Sequence, residues 1–344
     1  DRVARVMQKQ TANAETHTIM AMPFPMHIEL GKSYGEDFES IVPGTWFGDY
    51  VLSKGETAIT TRGGFMGVGA PEIMSLKMLK GNKNGLNEES AILISASVAK
   101  ALFGESDPLG KTIKIHNQVD LNVTGVFEDI SSKSSFHRVT FIGNWDLFVS
   151  MMDWINKTAW NDNSFQLFVQ LSEHADMEVI SKKIERIKYN NTPVEERLYD
   201  TKVFLHPMKD WHLRSQWKNG IQSGGAFQYV WWFGIIGAFV LLLACVNFMN
   251  LSTAQSIRRA KEVGVRKAIG TSKSQLAFQF LTESMLIAFI AFLIAAAITF
   301  MVLPFFNILT QKEIALPSYE PAFWIRRLGI AIVTGMNTGS KPAD

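Results

Sequence analysis

The pattern of apolar and polar positions changes character once along the 344-residue chain, near Lys218. Before that point charged, polar and apolar residues are mixed, as in a domain bathed in water. Between Lys218 and Arg258 no charged residue occurs, and the centre reads YVWWFGIIGAFVLLLACVNFMN. A second apolar run, SMLIAFIAFLIAAAITFMVLPFF, covers 284–306. Each supplies the ~20 apolar residues needed to cross a hydrocarbon core, so both predict transmembrane helices. A third stretch at 323–335, FWIRRLGIAIVTG, is interrupted by Arg326 and Arg327 and runs into a polar end. It predicts a partial or truncated further helix. The chain starts at Asp1 and not at methionine, and is expected to be a fragment of a longer membrane protein.

Finer periodicities appear in the mixed part. ESAILISASVAKALF (89–103) predicts a short strand at 91–94. A helix follows, capped by Ser95 or Ser97 and carrying Val98, Ala99 and Leu102. TIKIH (112–116) and VDLNVTGVF (119–127) alternate around Asn117-Gln118 and predict a hairpin. Residues 165–171 and 202–207 read as strands. Between them, 177–189 reads as an amphipathic helix with Val179, Ile180, Ile184 and Ile187 on its apolar face. The fold class is therefore an α+β extracytoplasmic domain followed by α-helical transmembrane segments. Its expected divisions are an outer domain over 1–218, a first span with flanks over 219–256 and a basic segment over 257–276. A second span over 277–308 and an outer loop with a partial helix over 309–344 complete the chain.

Charge sets the orientation. The net charge of +2 gives no reason to expect a nucleic acid partner. The linking segment SIRRAKEVGVRKAIGTSKSQL (256–276), however, carries Arg258, Arg259, Lys261, Arg266, Lys267 and Lys273 against Glu262 alone. A short loop so rich in lysine and arginine stays in the cytoplasm, which puts the domain before it outside. Trp231 and Trp232 suit an interfacial anchor at the outer end of the first span. Ile257, Ala260, Gly264 and Val265 can form an apolar stripe on the basic segment. Gly264 and Gly270 are expected to break that segment, with Thr271 or Ser272 capping the next helix. A short helix of this kind is one that a partner protein could grip.

Candidate chemistry thins out on inspection. GESDPLGKT (104–112) resembles a phosphate-binding loop, but five residues and not four separate its glycines, and Pro108 lacks an N–H. It reads instead as a helix stop at Gly104 and a turn over 107–110. His206, Asp210 and His212 have ligand-like spacing broken by Pro207, and Asp162 lacks the other residues of a calcium loop. Cys245 is the only cysteine, which excludes an intrachain disulfide. No catalytic, cofactor-binding or metal-ligating residue is assigned. Asn247 and Asn250 are expected to hydrogen-bond between helices, and Ala288, Ala291 and Ala295 to form a close-packing face.

The segments VNFMNLS (246–252), RAKEVGVRKAIGTS (259–272) and QLAFQFLTESMLIA (275–288) resemble the FtsX-like permease family, the membrane subunits of MacB-type ABC systems. The stretches at 92–125 and 208–215 are similar to the periplasmic core domain of that family, in the form that looks like permeases of Bacteroidetes. The resemblance implies an inner-membrane protein with its large domain in the periplasm, working as a dimer or with a second permease half. It also implies a separate ABC ATPase that binds the ATP, and a possible role for a periplasmic or outer-membrane partner. Arg259, Glu262, Val263, Gly264, Val265, Arg266, Lys267 and Gly270 would be the ATPase-coupling segment. The implied function is a permease for export or mechanotransmission. The alternatives are a regulator of cell-wall hydrolases and a membrane-anchored sensor without ATP coupling.

Overall fold

The computed structural model describes residues 2–211, 213–268, 270, 272–310, 314–317 and 319–339. In chain order the outer half contains β1 (Val3–Ala12), β2 (Glu15–Ile19), α1 (Pro25–Tyr34), β3 (Phe38–Gly44), β4 (Gly48–Lys54), β5 (Thr57–Met66), α2 (Ala70–Ile73) and β6 (Met78–Lys80). Then come β7 (Ala91–Ser95), α3 (Ala96–Phe103), β8 (Thr112–Ile115), β9 (Val119–Phe127), β10 (Phe141–Asn144) and α4 (Trp145–Met151). They are followed by β11 (Gln166–Leu171), α5 (Met177–Lys183), α6 (Ile187–Asn191), β12 (Asp200–Pro207), β13 (Gln216–Lys218) and β14 (Ile221–Gly224). Three long helices end the chain, α7 (Ala226–Ala268), α8 (Lys273–Thr310) and α9 (Pro321–Gly339).

Two sub-structures share the outer unit, which spans Asp1–Gln228. In the first, β3, β11, β1 and β12 lie side by side and all antiparallel. Alternate residues of β1, Ala4 and Val6, join Val203 and Leu205 of β12 on one face. Met26 and Leu30 of α1 and Ile180 of α5 cover that face. The order β1–α1–β3, then β11–α5–β12, is the split β-α-β arrangement of ferredoxin-like sandwiches. The second sub-structure is inserted between β3 and β11. Its ladders run β5–β10–β7–β9–β8–β4 and return to β5, closing a ring. Closure removes the exposed edges that an open sheet would present. The interior is filled by Leu52, Phe65, Ile92, Ile94, Ile113 and Phe141, against Val98, Leu102 and Phe103 of α3.

Several sequence expectations meet their elements closely. Ser95 caps α3, its hydroxyl accepting from the Val98 N–H at 3.4 Å. The 112–127 hairpin forms, but its turn falls one residue earlier than expected. His116 and Asn117 take the left-handed conformation, and Gln118 N–H donates to the Ile115 carbonyl at 3.0 Å. The amphipathic helix is broken in two. The Glu185 carbonyl accepts the Val203 N–H of β12 at 2.8 Å, which interrupts the helical ladder between α5 and α6. Ile180, Ile184 and Ile187 are buried as expected, whereas Val179, on the flank of α5, is 61% exposed.

In the unit that spans Tyr229–Asp344, α7 and α8 hold apolar stretches of membrane-crossing length, Ala226–Asn247 and Leu281–Leu309. The boundary between the units lies at Gln228, beyond Lys218, because β13, β14 and the first turn of α7 belong to the outer unit. Gly264 does not break α7, which runs on to Ala268. One interior glycine costs a helix only about 1 kcal/mol, too little to stop a helix this long. Gly270, at φ +100°, marks the actual interruption. Ser272 then caps α8 reciprocally: its hydroxyl accepts from Gln275 N–H at 3.3 Å, and the Gln275 side chain accepts from Ser272 N–H at 3.2 Å. α9 packs along α8 through Trp324, whose ring lies 6.3 Å from Phe292 and 6.4 Å from Phe300.

The β1–β2 turn offers a direct stability test. Asn13 and Ala14 both have positive φ, 50° and 65°, in a two-residue hairpin loop. Asparagine tolerates that conformation but alanine strains against its own Cβ. Ala14→Gly should stabilise the outer unit by about 1 kcal/mol, read as a higher urea midpoint by tryptophan fluorescence of the full chain in detergent. An unchanged or lower midpoint counts against the strained turn.

Candidate functional site

The glycine-lysine stretch folds as a stop and a turn. Gly104 ends α3 at φ +59°, a backbone conformation that favours glycine, and its N–H donates to the Lys100 carbonyl at 2.9 Å. Lys111 N–H then closes a turn on the Pro108 carbonyl at 3.1 Å, and strand β8 follows. Asp107 is held below the usual carboxylate range by its hydrogen bond from Lys80, at 2.8 Å. The amides that a phosphate nest would need are thus spent on a helix end and a strand entry.

The His206 region proves structural in a more interesting way. His206 is buried on β12, opposite Arg5 of β1, with its ring edge-on to Trp217 at 5.5 Å. Its carbonyl accepts the Trp211 indole N–H at 2.9 Å. His212 lies outside the described residues. The Asp210 carboxylate is 3.7 Å from the Arg214 guanidinium. Asp162 accepts a hydrogen bond from Ser164 two residues on. Among the described residues no three histidine, cysteine or acidic side chains gather as a metal site would require.

Two cations in the core region, half-buried Arg5 and buried Lys188, escaped the sequence reading. The Arg5 guanidinium lies 5.2 Å from the Phe168 ring centre and 4.6 Å from that of Trp211, and burial pulls its pKa down to about 10. Its buried Nε has no hydrogen-bond partner among the described residues, so the aromatic faces do much of the solvating. Lys188 of α6 is 2% exposed and donates to Gln8 Oε1 and Asn163 Oδ1, both at 2.7 Å. Burial lowers it to about 8. The signal was present in β1: Gln8 and Gln10 share the inward face with Ala4 and Val6. Polar side chains at core positions call for partners.

The exit from the outer domain is tied down by a set of hydrogen bonds. β13 and β14 form a hairpin on an Asn219-Gly220 turn, and Trp217 on it covers Phe204 at 5.2 Å. That Asn-Gly pair is the strongest short-range hairpin signal a sequence carries, and it was missed because 219–256 read as the first span with its flanks. Gln222 Nε2 donates to the Arg214 carbonyl at 2.8 Å, and Phe227 N–H to the Leu213 carbonyl at 3.1 Å. Gly225 sits at φ +146°, where a Cβ would lie 2.4 Å from the Leu213 oxygen. The first turn of α7 is therefore part of the outer domain's own hydrogen-bonded structure.

Along α7 and α8 the expected site residues separate. Arg259, Glu262, Val263, Gly264, Arg266 and Lys267 lie on the unbroken backbone of α7, with side chains outside the described residues, as are those of Ile257 and Ala260. Val265 is exposed, as are Gly270, Asn247, Asn250 and Cys245. Thr271 lies outside the described residues. Ala288 is half-buried, on one stripe of α8 with Phe292 and Ala296, whereas Ala291 and Ala295 are exposed.

With this geometry in view, the similarities to known proteins fall into place. Residues 2–187 match the MacB-like periplasmic core domain and residues 234–339 the FtsX-like permease C-terminal region. Over 315 residues the chain is 24% identical to the macrolide export ATP-binding/permease protein MacB of Neisseria gonorrhoeae, covering 80% of this chain and 46% of that protein. Over 253 residues it is 24% identical to the uncharacterized ABC transporter permease YknZ of Bacillus subtilis, covering 71% and 57%. The chain thus spans about half the length of the curated relatives it matches. The crystal structure of the periplasmic region of MacB from Actinobacillus actinomycetemcomitans superposes with a TM-score of 0.44 at 15% identity, over 61% of this chain and 90% of that one.

The buried histidine predicts a pH dependence. Burial, and to a lesser degree Arg5, lowers the pKa of His206, while Asp210 opposes them. From the ordinary value of 6.5 down to the lowered one, the unfolded chain binds a proton that the folded chain refuses. Stability is therefore lost as pH falls through that window. His27 is lowered in the same direction by burial, so the comparison must be with a variant. Between pH 7 and pH 5 the thermal midpoint of the outer domain should fall less in His206→Gln than in the parent chain. Equal acid sensitivity would show that His206 is not the group titrating.

Proposed function

We propose that this chain, which belongs to the FtsX-like permeases with a MacB-like periplasmic core domain, is the permease part of an ABC-type export system. In this reading it couples ATP hydrolysis on a partner ATPase to movement of its own outer domain. The observation that carries the reading is α7. The helix starts inside the hydrogen-bonded structure of the outer domain, contains the first membrane-crossing stretch and continues into the basic EVGVRK segment.

The positive charge of the 256–276 segment keeps it in the cytoplasm, where an ATPase would find it. The outer domain then lies in the periplasm of an inner-membrane protein. Nucleotide-driven displacement of the basic end of α7 passes along a continuous hydrogen-bonded rod and reaches the outer domain as a rigid-body change. The two apolar stretches hold no Asp, Glu, Lys or Arg in 226–247, and Glu283 alone in 281–309. Ion and proton paths ordinarily carry such groups in number, so the composition favours mechanical transmission over a polar conduit. The chain is the transporter subunit and the partner the hydrolase. A second copy, or a second permease half, completes the membrane unit. The Neisseria relative's name gives macrolides as one class of cargo. Peptides, other antibiotics, lipids and lipoproteins belong to the same range of proposals.

The test is reconstitution of the full-length protein in lipid nanodiscs with its ATPase partner. Arg266→Glu and Gly264→Trp should each cut the permease-stimulated ATPase rate at least tenfold. The thermal midpoint of the outer domain should meanwhile stay within about 2 °C of the parent. Full stimulation and normal co-purification by both variants would remove the coupling role from this segment.

A further inference from the structure

Two arginines of α9 lie level with the part of α8 that crosses the membrane. The apolar stretch of α8, Leu281–Leu309, has 29 residues, more than the ~20 that span a hydrocarbon core. Whichever run of about 20 fills the core, positions 290–300 lie inside it. The Trp324 ring packs against Phe292 and Phe300, both within that zone. Arg326 and Arg327 follow two and three residues later, only ~3–4.5 Å further along the helix axis. Both are exposed, and neither forms an ion pair among the described residues.

An exposed guanidinium at this depth faces hydrocarbon, which is costly unless an anion or water meets it. The direction of the side chains shows where that partner sits. Helical side chains lean toward the helix N-terminus. Phe323 stands three residues before Arg326 and four before Arg327, so both arms rise past its ring. The Arg327 guanidinium is already there, 4.7 Å from the Phe323 ring centre. Both arms thus point toward Pro321, where α9 begins, on the side reached by the end of α8 and opposite the basic 256–276 segment.

The spans of a second copy offer no carboxylate at that depth. A two-fold axis along the membrane normal keeps every residue at its own level. The apolar stretch of α7 has no acidic residue. Glu283, the one acid in that of α8, is thirteen residues from the midpoint of Phe292 and Phe300, or ~20 Å along the axis. The anion that a membrane surface itself supplies is the lipid phosphate, and a planar guanidinium binds it through paired N–H donors.

We propose that Arg326 and Arg327 bind the phosphate of an anionic phospholipid in the leaflet opposite the basic segment, drawing its headgroup down the side of α9. The proposal rests on the reading of α8 as a membrane span and is independent of ATP coupling.

The probe is phosphatidylglycerol, added to the delipidated full chain in detergent, with bound lipids counted by native mass spectrometry. One tightly held lipid is expected, its affinity at least tenfold lower in Arg326→Gln combined with Arg327→Gln. Arg326→Lys combined with Arg327→Lys, which keeps the charge and loses the fork, should fall between that variant and the parent. Arg258→Gln combined with Lys273→Gln, at the opposite surface, should leave the lipid in place. Thermal midpoints of all variants verify that they fold. An unchanged affinity in the Arg326/Arg327 glutamine pair, or an equal loss in the Arg258/Lys273 pair, overturns the proposal. So does equal binding of phosphatidylcholine, which carries a phosphate without net charge. Displacement by inorganic phosphate would make the pair a small-anion site and also overturn it. Dissociation of a dimer by the Arg326/Arg327 pair, with lipid binding intact, would assign the arginines to a protein contact instead. Carbonate extraction tests the span separately, so a chain that stays in the membrane and binds no lipid counts against this site alone.

Discussion

A four-stranded antiparallel sheet has two faces, and its helices can cover only one. On the face of β3–β11–β1–β12 turned away from α1 and α5, Phe168 and Met7 still have to be kept from water. The chain meets this requirement from two directions. Ala70 and Ile73 of α2, with Phe136, come from the inserted barrel side, and Trp211 comes from the segment just before the first span. At ~25 cal/mol per Å² of apolar area, a covered tryptophan and phenylalanine pair contributes several kcal/mol. The segment that supplies Trp211 and Trp217 is thus fixed by the core of the outer domain.

That arrangement also explains the unusual residues of the region. A half-buried guanidinium at Arg5 is sheltered by two aromatic rings that sit against it. Lys188 survives because two side-chain amide oxygens point at its ammonium. Both cations reach across elements that are far apart in sequence, Lys188 to Gln8 and Arg5 to Trp211. Lys188 therefore acts as a selective tie: an apolar residue would pack in many registers, whereas a buried donor is satisfied in few.

How much of this was legible in the sequence depended on the range of the interaction. Short-range features read well. The Ser95 cap, the Gly104 stop, the 112–127 hairpin and the Ser272 cap are each decided within a few residues. The two spans read well because length and composition alone decide them. The first 66 residues were opaque. Gln8 and Gln10 break the apolar alternation of β1, and β5 pairs in parallel with β10 nearly eighty residues later. No local pattern encodes that closure. Val179 was assigned to the buried face by helical spacing, but it lies on the exposed flank of α5; separately, a strand N–H captures the Glu185 carbonyl and divides the expected helix. At the candidate site the basic stretch was recognised, whereas its continuity with α7 was not, since a lone glycine reads as a break and costs too little to be one.

The continuity of α7 has a geometric consequence. Its 43 residues, at ~1.5 Å each, make a shaft of roughly 65 Å, about twice the thickness of a hydrocarbon core. The apolar stretch Ala226–Asn247 takes up 22 of these residues, so the same helix carries 21 more, about 30 Å of rod, beyond that stretch.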